Sequence, residues 1–385
     1  MLHPTEAHYH ALRLSHMSEI GKVFWAHTLA TLGGFLLTIF IPIYLLKTGY
    51  SLTAILLFLA QQGFFALLLQ FYASKVISLF GANKSMAIGI AAQIGYFVLL
   101  ITLPSMHWPL SVLAFAWGVH RTTYWAAFHA NFSKANQHKE AGKKIGLIQA
   151  IVAFGKGASP AIGGVLASEL GINWVYGVGI TLSVLAVLPL LRGGEITTRR
   201  KAVMRSLNFK KIRPDLVASM ANATTSISEA VLWPLFVFIL VPSYAAVGIL
   251  SSTIALAALL TSVYVGRRQA RVGTRHFLRQ GVTLASFSDV LRLLVQNAGH
   301  VFGVNLFGGI GNSLYMTPYF SRYYKHADEE PRIEYITAME ASHAFAWMLL
   351  PLALVPFTLV FPDKTVLLIG IGVAIPANFI IRKIR

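Results

Sequence analysis

Apolar runs long enough to cross a bilayer recur along almost the whole chain, separated by short polar breaks. A spanning helix needs about 20 predominantly apolar residues. Such runs fall near 23–46, 52–74, 85–104, 108–132, 145–167, 173–192, 215–241, 244–265, 277–296, 301–323, 334–361 and 364–381. In lipid each segment must satisfy its own backbone hydrogen bonds, which leaves helices or a closed barrel, and runs of this length select helices. The composition agrees: 56% of residues are hydrophobic and 12% charged, where a soluble chain carries about 25% charged residues. The expected fold class is therefore an all-α membrane protein with twelve transmembrane helices. The ninth run is the weakest, because Asp289 and Arg292 interrupt it.

A formal net charge of +18 raises the question of a nucleic-acid partner, so its distribution decides. If the N-terminus is inside, the inner segments hold 27 of the 32 Lys and Arg residues. The outer loops hold only Lys47 and Lys364, and Arg121, Lys156 and Arg292 lie within runs. This is the split the positive-inside rule demands. The charge is explained without nucleic acid, and the bilayer is the expected partner. The expected location is the cell membrane, multi-pass, with both termini cytoplasmic and the chain a monomer.

The polar start, MLHPTEAHYHALRLSHMSEIGK, reads as a retained cytoplasmic segment. The basic stretch GGEITTRRKAVMRSLNFKKIRP reads as a linker between two halves. The expected division is 1–21 cytoplasmic segment, 22–193 first bundle, 194–213 linker and 214–385 second bundle. With no cysteine, disulfides and thiolate metal sites are excluded. His3, His8, His10 and His16 have no scaffold around them, and no metal site or catalytic set is expected.

The halves match at one offset. Pro42 corresponds to Pro234 and Gly81 to Gly273, each by 192; GVHRTTY at 118 corresponds to GIGNSLY at 309 and Pro160 to Pro351, each by 191. Two six-helix bundles related by a parallel pseudo-two-fold repeat follow.

Three local features carry a resemblance to the major facilitator superfamily over essentially the whole length. The stretch GRRQARVGTRHF fits the family's loop motif at Gly266, Arg268, Gly273 and Arg275, and its first-half copy keeps Gly81 and Lys84 without the usual aspartate. In GLIQAIVAFGKGASPAIGG, residues Gly146, Gly155, Ser159, Pro160, Gly163 and Gly164 fit the fifth-span "antiporter" motif, with Ser159 where glycine is usual. Arg121 matches the basic residue of the span-four motif, with Tyr124 and Trp125 where Gln-Gly usually follows. The resemblance implies a transporter whose spans one, four, five, seven, ten and eleven surround a central cavity. Glycines at helical spacing also allow close helix packing, and Pro160 can bend its helix; packing face and gating hinge both stand as readings.

Charges in a bilayer are costly and face a cavity or a partner. Near mid-depth lie His120, Arg121, Lys156, Glu229 and His343, with His27 and Glu340 nearer the inner side. Helical steps of three and four place His27, Thr31, Gly34 and Thr38 on one stripe; Gly118, Arg121, Trp125 and His129 on another; then Asn222, Ser226, Glu229 and Trp233; and Glu340, His343 and Trp347. The cations Arg121 and Lys156 are in the first half, the acids Glu229 and Glu340 in the second, and the repeat counterpart of Arg121 is Asn312. The expectation is that cations and acids face each other across a water-filled cavity. There Arg121, Lys156, His120, Tyr124, Asn312, Tyr315 and Trp347 are candidate substrate contacts, and Glu229, Glu340, His343 and His27 candidate proton-coupling groups. Burial favours a neutral carboxyl and a nearby arginine a charged one, so such an acid can bind and release protons. Structural ion pairs for the cations and a core role for His120 stand beside that reading, and Asp289 and Arg292, three residues apart, are expected to pair on a peripheral helix.

The chain thus reads as a secondary active transporter working by alternating access, with a proton or other ion gradient as driving force and no cofactor. Proton-coupled efflux of a small amphipathic molecule is favoured; import of an organic anion by symport is the alternative. A transport-inactive receptor or scaffold on the same fold is the reading from another class. No nucleotide-binding Gly-Lys-Thr loop or metalloprotease motif is present, so an enzyme is not expected.

Overall fold

The computed structural model describes residues 19–135, 142–192 and 207–385; side chains at 19–20, 133–135, 142–153, 156 and 270 lie outside the description. The segment before residue 19 and the linker residues 193–206 therefore fall outside the described residues, as does the side chain of Lys156.

The described residues are helical, without strands. In order they form α1 (Glu19–Phe35), a 3₁₀ turn (Thr38–Phe40), α2 (Ile41–Lys47), α3 (Leu52–Phe80), α4 (Ala82–Met106), α5 (Leu110–Ala135), α6 (Gly142–Glu169) and α7 (Ile172–Leu191). The second half adds α8 (Phe209–Ile227), a π-helical turn (Ser228–Leu232), α9 (Trp233–Leu240), α10 (Tyr244–Val272), α11 (Thr274–Arg292), α12 (Ala298–Glu329), α13 (Arg332–Leu354), a second 3₁₀ turn (Val355–Leu359) and α14 (Asp363–Ile381). Among the described residues, eight stretches are long and apolar enough to cross a membrane, including Leu52–Phe80, Phe209–Leu240 and Asp363–Ile381. Large apolar side chains also cover the outside: Phe71 is 71% exposed, Leu260 67% and Trp174 64%. That surface suits hydrocarbon and not water.

Local chemistry sets the helix ends. The Ser51 hydroxyl accepts from the Ala54 N–H and the Ser243 hydroxyl from the Ala246 N–H, capping α3 and α10. Both helices end on a glycine in the left-handed region, Gly81 at φ 84° and Gly273 at φ 94°, where a Cβ would be strained. Pro42 opens α2 directly after the 3₁₀ turn, and Pro234 lies at the start of α9 directly after the π turn. Proline supplies no N–H to the carbonyl four residues back. At the second break the Trp233 N–H bonds Ser228 instead, one residue further than an α-helix would reach.

In the first half α1 packs on α6 and α7, α4 on α5 and α7, and α3 on α5. In the second, α8 packs on α13 and α14, α11 on α12 and α14, and α10 on α12. Across the halves α6 lies along α10, and α3 along α13. Glycine makes the first of these crossings possible. A Cβ on Gly164 would strike the Tyr244 carbonyl and lie 3.1 Å from Gly248 Cα, while one on Gly248 would strike the Pro160 carbonyl. Gly163, on the other side, sits against the Leu36 carbonyl of the first span. α6 runs through Pro160 without a break, and the Ala161 N–H donates to the Ser252 hydroxyl of α10 at 3.0 Å.

The halves also share an apolar core at one end, where Phe40, Ile43 and Leu45 cluster with Trp233, Phe236 and Val237. Phe40 meets Tyr244 edge to face at 5.6 Å, and Lys47 Nζ lies 4.7 Å above the Tyr244 ring.

Candidate functional site

At the other end the contact between halves is polar and aromatic. α5 presents Arg121 and, two turns on, His129; α13 presents Glu340, His343 and Trp347. Arg121 Nη2 donates to Glu340 Oε2 at 3.1 Å, and His129 Nε2 lies 3.6 Å from Glu340 Oε1. The other ring nitrogen of His129 is 2.8 Å from the Tyr324 hydroxyl of α12. The Tyr324 ring also packs at a tilt against Phe132, with centroids 4.8 Å apart. The pair is mostly enclosed, with Arg121 16% and Glu340 10% exposed. Its two members come from helices in different halves, 219 residues apart in sequence, so it exists only while α5 and α13 are together. Arg121 Nε has no hydrogen-bond partner, and the guanidinium carbon lies 5.9 Å from the Trp347 ring.

Trp347 leads from that pair into a small cavity lined by residues of both halves. Its walls include Thr38, Gln62, Tyr96, Trp117, Val231 and Trp347. Gln62 donates to the Tyr96 hydroxyl at 3.2 Å. The indole N–H groups of Trp117 and Trp347 are buried without acceptors. Unmade buried hydrogen bonds are expensive, and both of these donors belong to residues that wall the cavity.

A second small cavity lies within the second half. The π turn turns Glu229 toward α11 and α12. Asn312 donates to Glu229 Oε2, and Arg292 Nη2 stands 3.9 Å from Glu229 Oε1. Arg292 Nη1 donates to Asp289 Oδ1 at 2.9 Å, and Asn378 to Asp289 Oδ2 at 2.8 Å. Arg292 also lies over the Trp233 ring at 5.0 Å, whose N–H donates to Asn305 at 2.8 Å.

The expected cations and acids are thus sorted differently from one shared cavity. Arg121 and Glu340 meet across the halves. Glu229 is matched within its own half by Arg292 and Asn312, and Tyr315 lines that cavity. His120 is buried in the first half, its Nδ1 2.9 Å from the Gly89 carbonyl. Tyr124 is 2% exposed and its hydroxyl lies 2.7 Å from His27 Nδ1, itself stacked on Phe128 at 3.8 Å. These three are packed among α1, α4 and α5, and they line neither of the two cavities described above. Gly118 packs on Phe65 and Ala66. His343 stacks on Trp347 with centroids 6.0 Å apart. Asp289 and Arg292 pair as their spacing predicts, but on a cavity wall, not at the periphery. Of the motif glycines, Gly155 packs against Leu32 of α1, while Gly266 is in open space beside the exposed Arg268. Lys84 and Arg275 are exposed, Ser159 and Pro160 are buried, and Gly146 lies in the backbone of α6.

Tyr324, Gln62, Tyr96, Trp117 and Asn378 were not singled out from the sequence. His129 shared a stripe with Arg121, and that spacing was its signal. The other five carry no charge, and their residue types are common in spanning helices.

A family model described as the Major Facilitator Superfamily matches residues 23–241. The fold is similar to a bacterial homologue of the iron transporter ferroportin in its outward-facing state, with TM-score 0.66, 15% identity, and 95% of this chain and 98% of that chain covered. The same homologue in its inward-facing state gives 0.67, 14%, 95% and 99%. The nucleoside transporter NupG, in a mutant form, gives 0.70, 12%, 94% and 98%. At these identities the likeness is one of fold alone. No curated protein matches the sequence.

Proposed function

Because the chain belongs to the Major Facilitator Superfamily, and is thereby a multi-pass membrane transporter and not an enzyme, we propose that it moves a small molecule by proton-coupled alternating access. The observation that carries this reading is the Arg121–Glu340 pair, made between halves and placed beside a cavity that both halves line. Twelve spans in two bundles, 22–193 and 214–385, are supported by the packing: every helix pair named above in the first half has its counterpart in the second, and the α6–α10 crossing has its counterpart in α3–α13. The polar end with His129 and Tyr324 is the cytoplasmic one, by the distribution of Lys and Arg, and the membrane is the cell membrane.

The chemistry runs as a competition for Glu340 and Arg121. A proton on Glu340 removes the charge that Arg121 holds. An acidic group of a substrate can then take the guanidinium, with its body against Trp117 and Trp347. Breaking the pair releases α5 from α13 and loosens the cytoplasmic end. The substrate class is an amphipathic molecule with acceptor oxygens, anionic forms included. Proton-driven efflux is favoured by the α6 motif, whose glycines fit α1 on one side and α10 on the other. Symport of an organic anion is the second reading, favoured by the spare Nε donor of Arg121.

The test is a thermal-shift screen of purified protein against organic anions, cations and neutral amphiphiles. Hits are then assayed in proteoliposomes under an imposed pH gradient. Stabilising anions whose effect vanishes in Arg121→Gln, and gradient-driven flux that vanishes in Glu340→Gln, are expected. Undiminished flux in both variants would overturn the assignment, and the direction of flux separates the two readings.

A further inference from the structure

We infer that Glu229 carries one proton in the resting protein, and that Asp289 and Arg292 form the fixed counter-pair that makes this site take one proton and no more. Resting on the proton-coupled reading above, it adds a second proton site, apart from Glu340 and the substrate.

Two carboxyls and one guanidinium face the second-half cavity, so with all three ionised it holds a net charge of −1. Little of it is in contact with solvent: Arg292 is 3% exposed, Asp289 7% and Glu229 20%. An uncompensated charge so enclosed is strongly disfavoured, and one proton cancels it. The titratable groups facing the two acids are Arg292 and the Tyr315 hydroxyl from α12. The remaining polar side chains on its walls, Thr225, Asn312 and Asn378, are neutral.

Hydrogen bonding says where the proton sits. Both oxygens of Asp289 are occupied, one by Arg292 Nη1 and one by Asn378, as suits an ionised carboxylate. Glu229 has one oxygen occupied by Asn312, while Oε1 is buried with no hydrogen bond. Facing it, Arg292 Nε and Nη2 are buried donors without acceptors. The gap from Nη2 to Oε1 is 3.9 Å, about 1 Å longer than a charge-assisted hydrogen bond. A neutral Glu229 accounts for the gap: with Oε2 accepting from Asn312 the proton lies on Oε1, which then faces the Arg292 donors as a donor itself. Loss of the proton makes Oε1 an anion, and closing that gap satisfies both sides. The move falls on the π turn, where the helix already departs from regular bonding. Deprotonation would therefore pull the α8–α9 joint toward α11, at the point where Trp233 enters the core shared by both halves.

Infrared spectroscopy of the purified protein reads the proton directly. The carbonyl stretch of a protonated carboxylic acid is separate from that of carboxylate and shifts in D₂O. Wild type at neutral pH is expected to show this band, Glu340→Gln to keep it, and Glu229→Gln to lose it. Asp289→Asn is the discriminating variant. It leaves Glu229 in place but balances it against Arg292, so the band should vanish although no protonated residue was removed. A band that survives Glu229→Gln or Asp289→Asn would overturn the inference. So would its absence from wild type, which needs no variant to fold, or its removal by sodium at fixed pH. Gradient-driven flux without the band would sink this site and leave the transport reading standing; the band without flux would do the reverse.

Discussion

Replacing Glu340 by glutamine removes one charge from the contact that ties α5 to α13 and leaves Arg121 enclosed without a counter-ion. At 3.1 Å and an effective dielectric of about 20, the attraction is about 5 kcal/mol before desolvation. Breaking a fully buried pair costs about 3–5 kcal/mol. These side chains keep 16% and 10% exposure, and His129 remains beside the new amide, so about 2 kcal/mol is a reasonable remainder. That is a ~30-fold shift in an equilibrium constant. Because the pair forms only when the two helices are together, the shift should fall on the opening of the polar end and not on overall stability. The native chain contains no cysteine, so spin labels can be placed without first removing any. Labels at Lys84→Cys and Lys325→Cys report the polar end, and labels at Thr48→Cys and Asp363→Cys the apolar end. Pulsed dipolar spectroscopy should show Glu340→Gln and Arg121→Gln each populating longer distances at the first pair. The double variant should do no more than either single one, since the interaction is lost once. Unchanged distances in both single variants, or additive effects in the double one, would refute the reasoning.

Leucine at Gly164 must push α6 off the Tyr244 carbonyl and Gly248; the expected loss is about 1–3 kcal/mol, read as a lower melting temperature in detergent, whereas alanine at the open Gly266 should be neutral. Asp215 is fully buried and accepts from the Tyr335 hydroxyl and from the backbone and side chain of Arg385. Asp215→Ala should cost about 3–5 kcal/mol and lower the melting temperature, with Tyr335→Phe recovering little of it. Trp347→Phe keeps a ring in the cavity but removes an N–H; stabilisation by acceptor-bearing ligands should fall several-fold in titration while the melting temperature of the empty protein holds.

The helices and the pairing of Arg121 with an acid were legible because a charge inside an apolar run is rare and its helical neighbours are countable. Glu229 shows where that method stops. Its stripe, Asn222, Ser226, Glu229 and Trp233, assumes 3.6 residues per turn throughout. The π turn at Ser228–Leu232 adds a residue, which rotates the remainder of the span by about 100°. Trp233 then meets Asn305 and Arg292 within its own half. Pro234 marked a break in the helix but not which way the chain would resolve it. Pro42, its counterpart, resolves as a 3₁₀ turn. His120 and His27 were equally hard to place, since a histidine bonded to a backbone carbonyl and one lining a cavity look alike as letters.

The two ends that hold the halves together differ in kind, and temperature can tell them apart. Parting Phe40 from Tyr244 and the residues around them exposes apolar surface, which raises heat capacity; parting His129 from Tyr324 and Arg121 from Glu340 exposes mainly polar groups. Apolar contacts weaken on cooling. The balance between opening at the polar end and opening at the apolar end should therefore drift with temperature along a curve and not a straight line. A transporter built this way would carry its own thermometer, with cold favouring release at the apolar end.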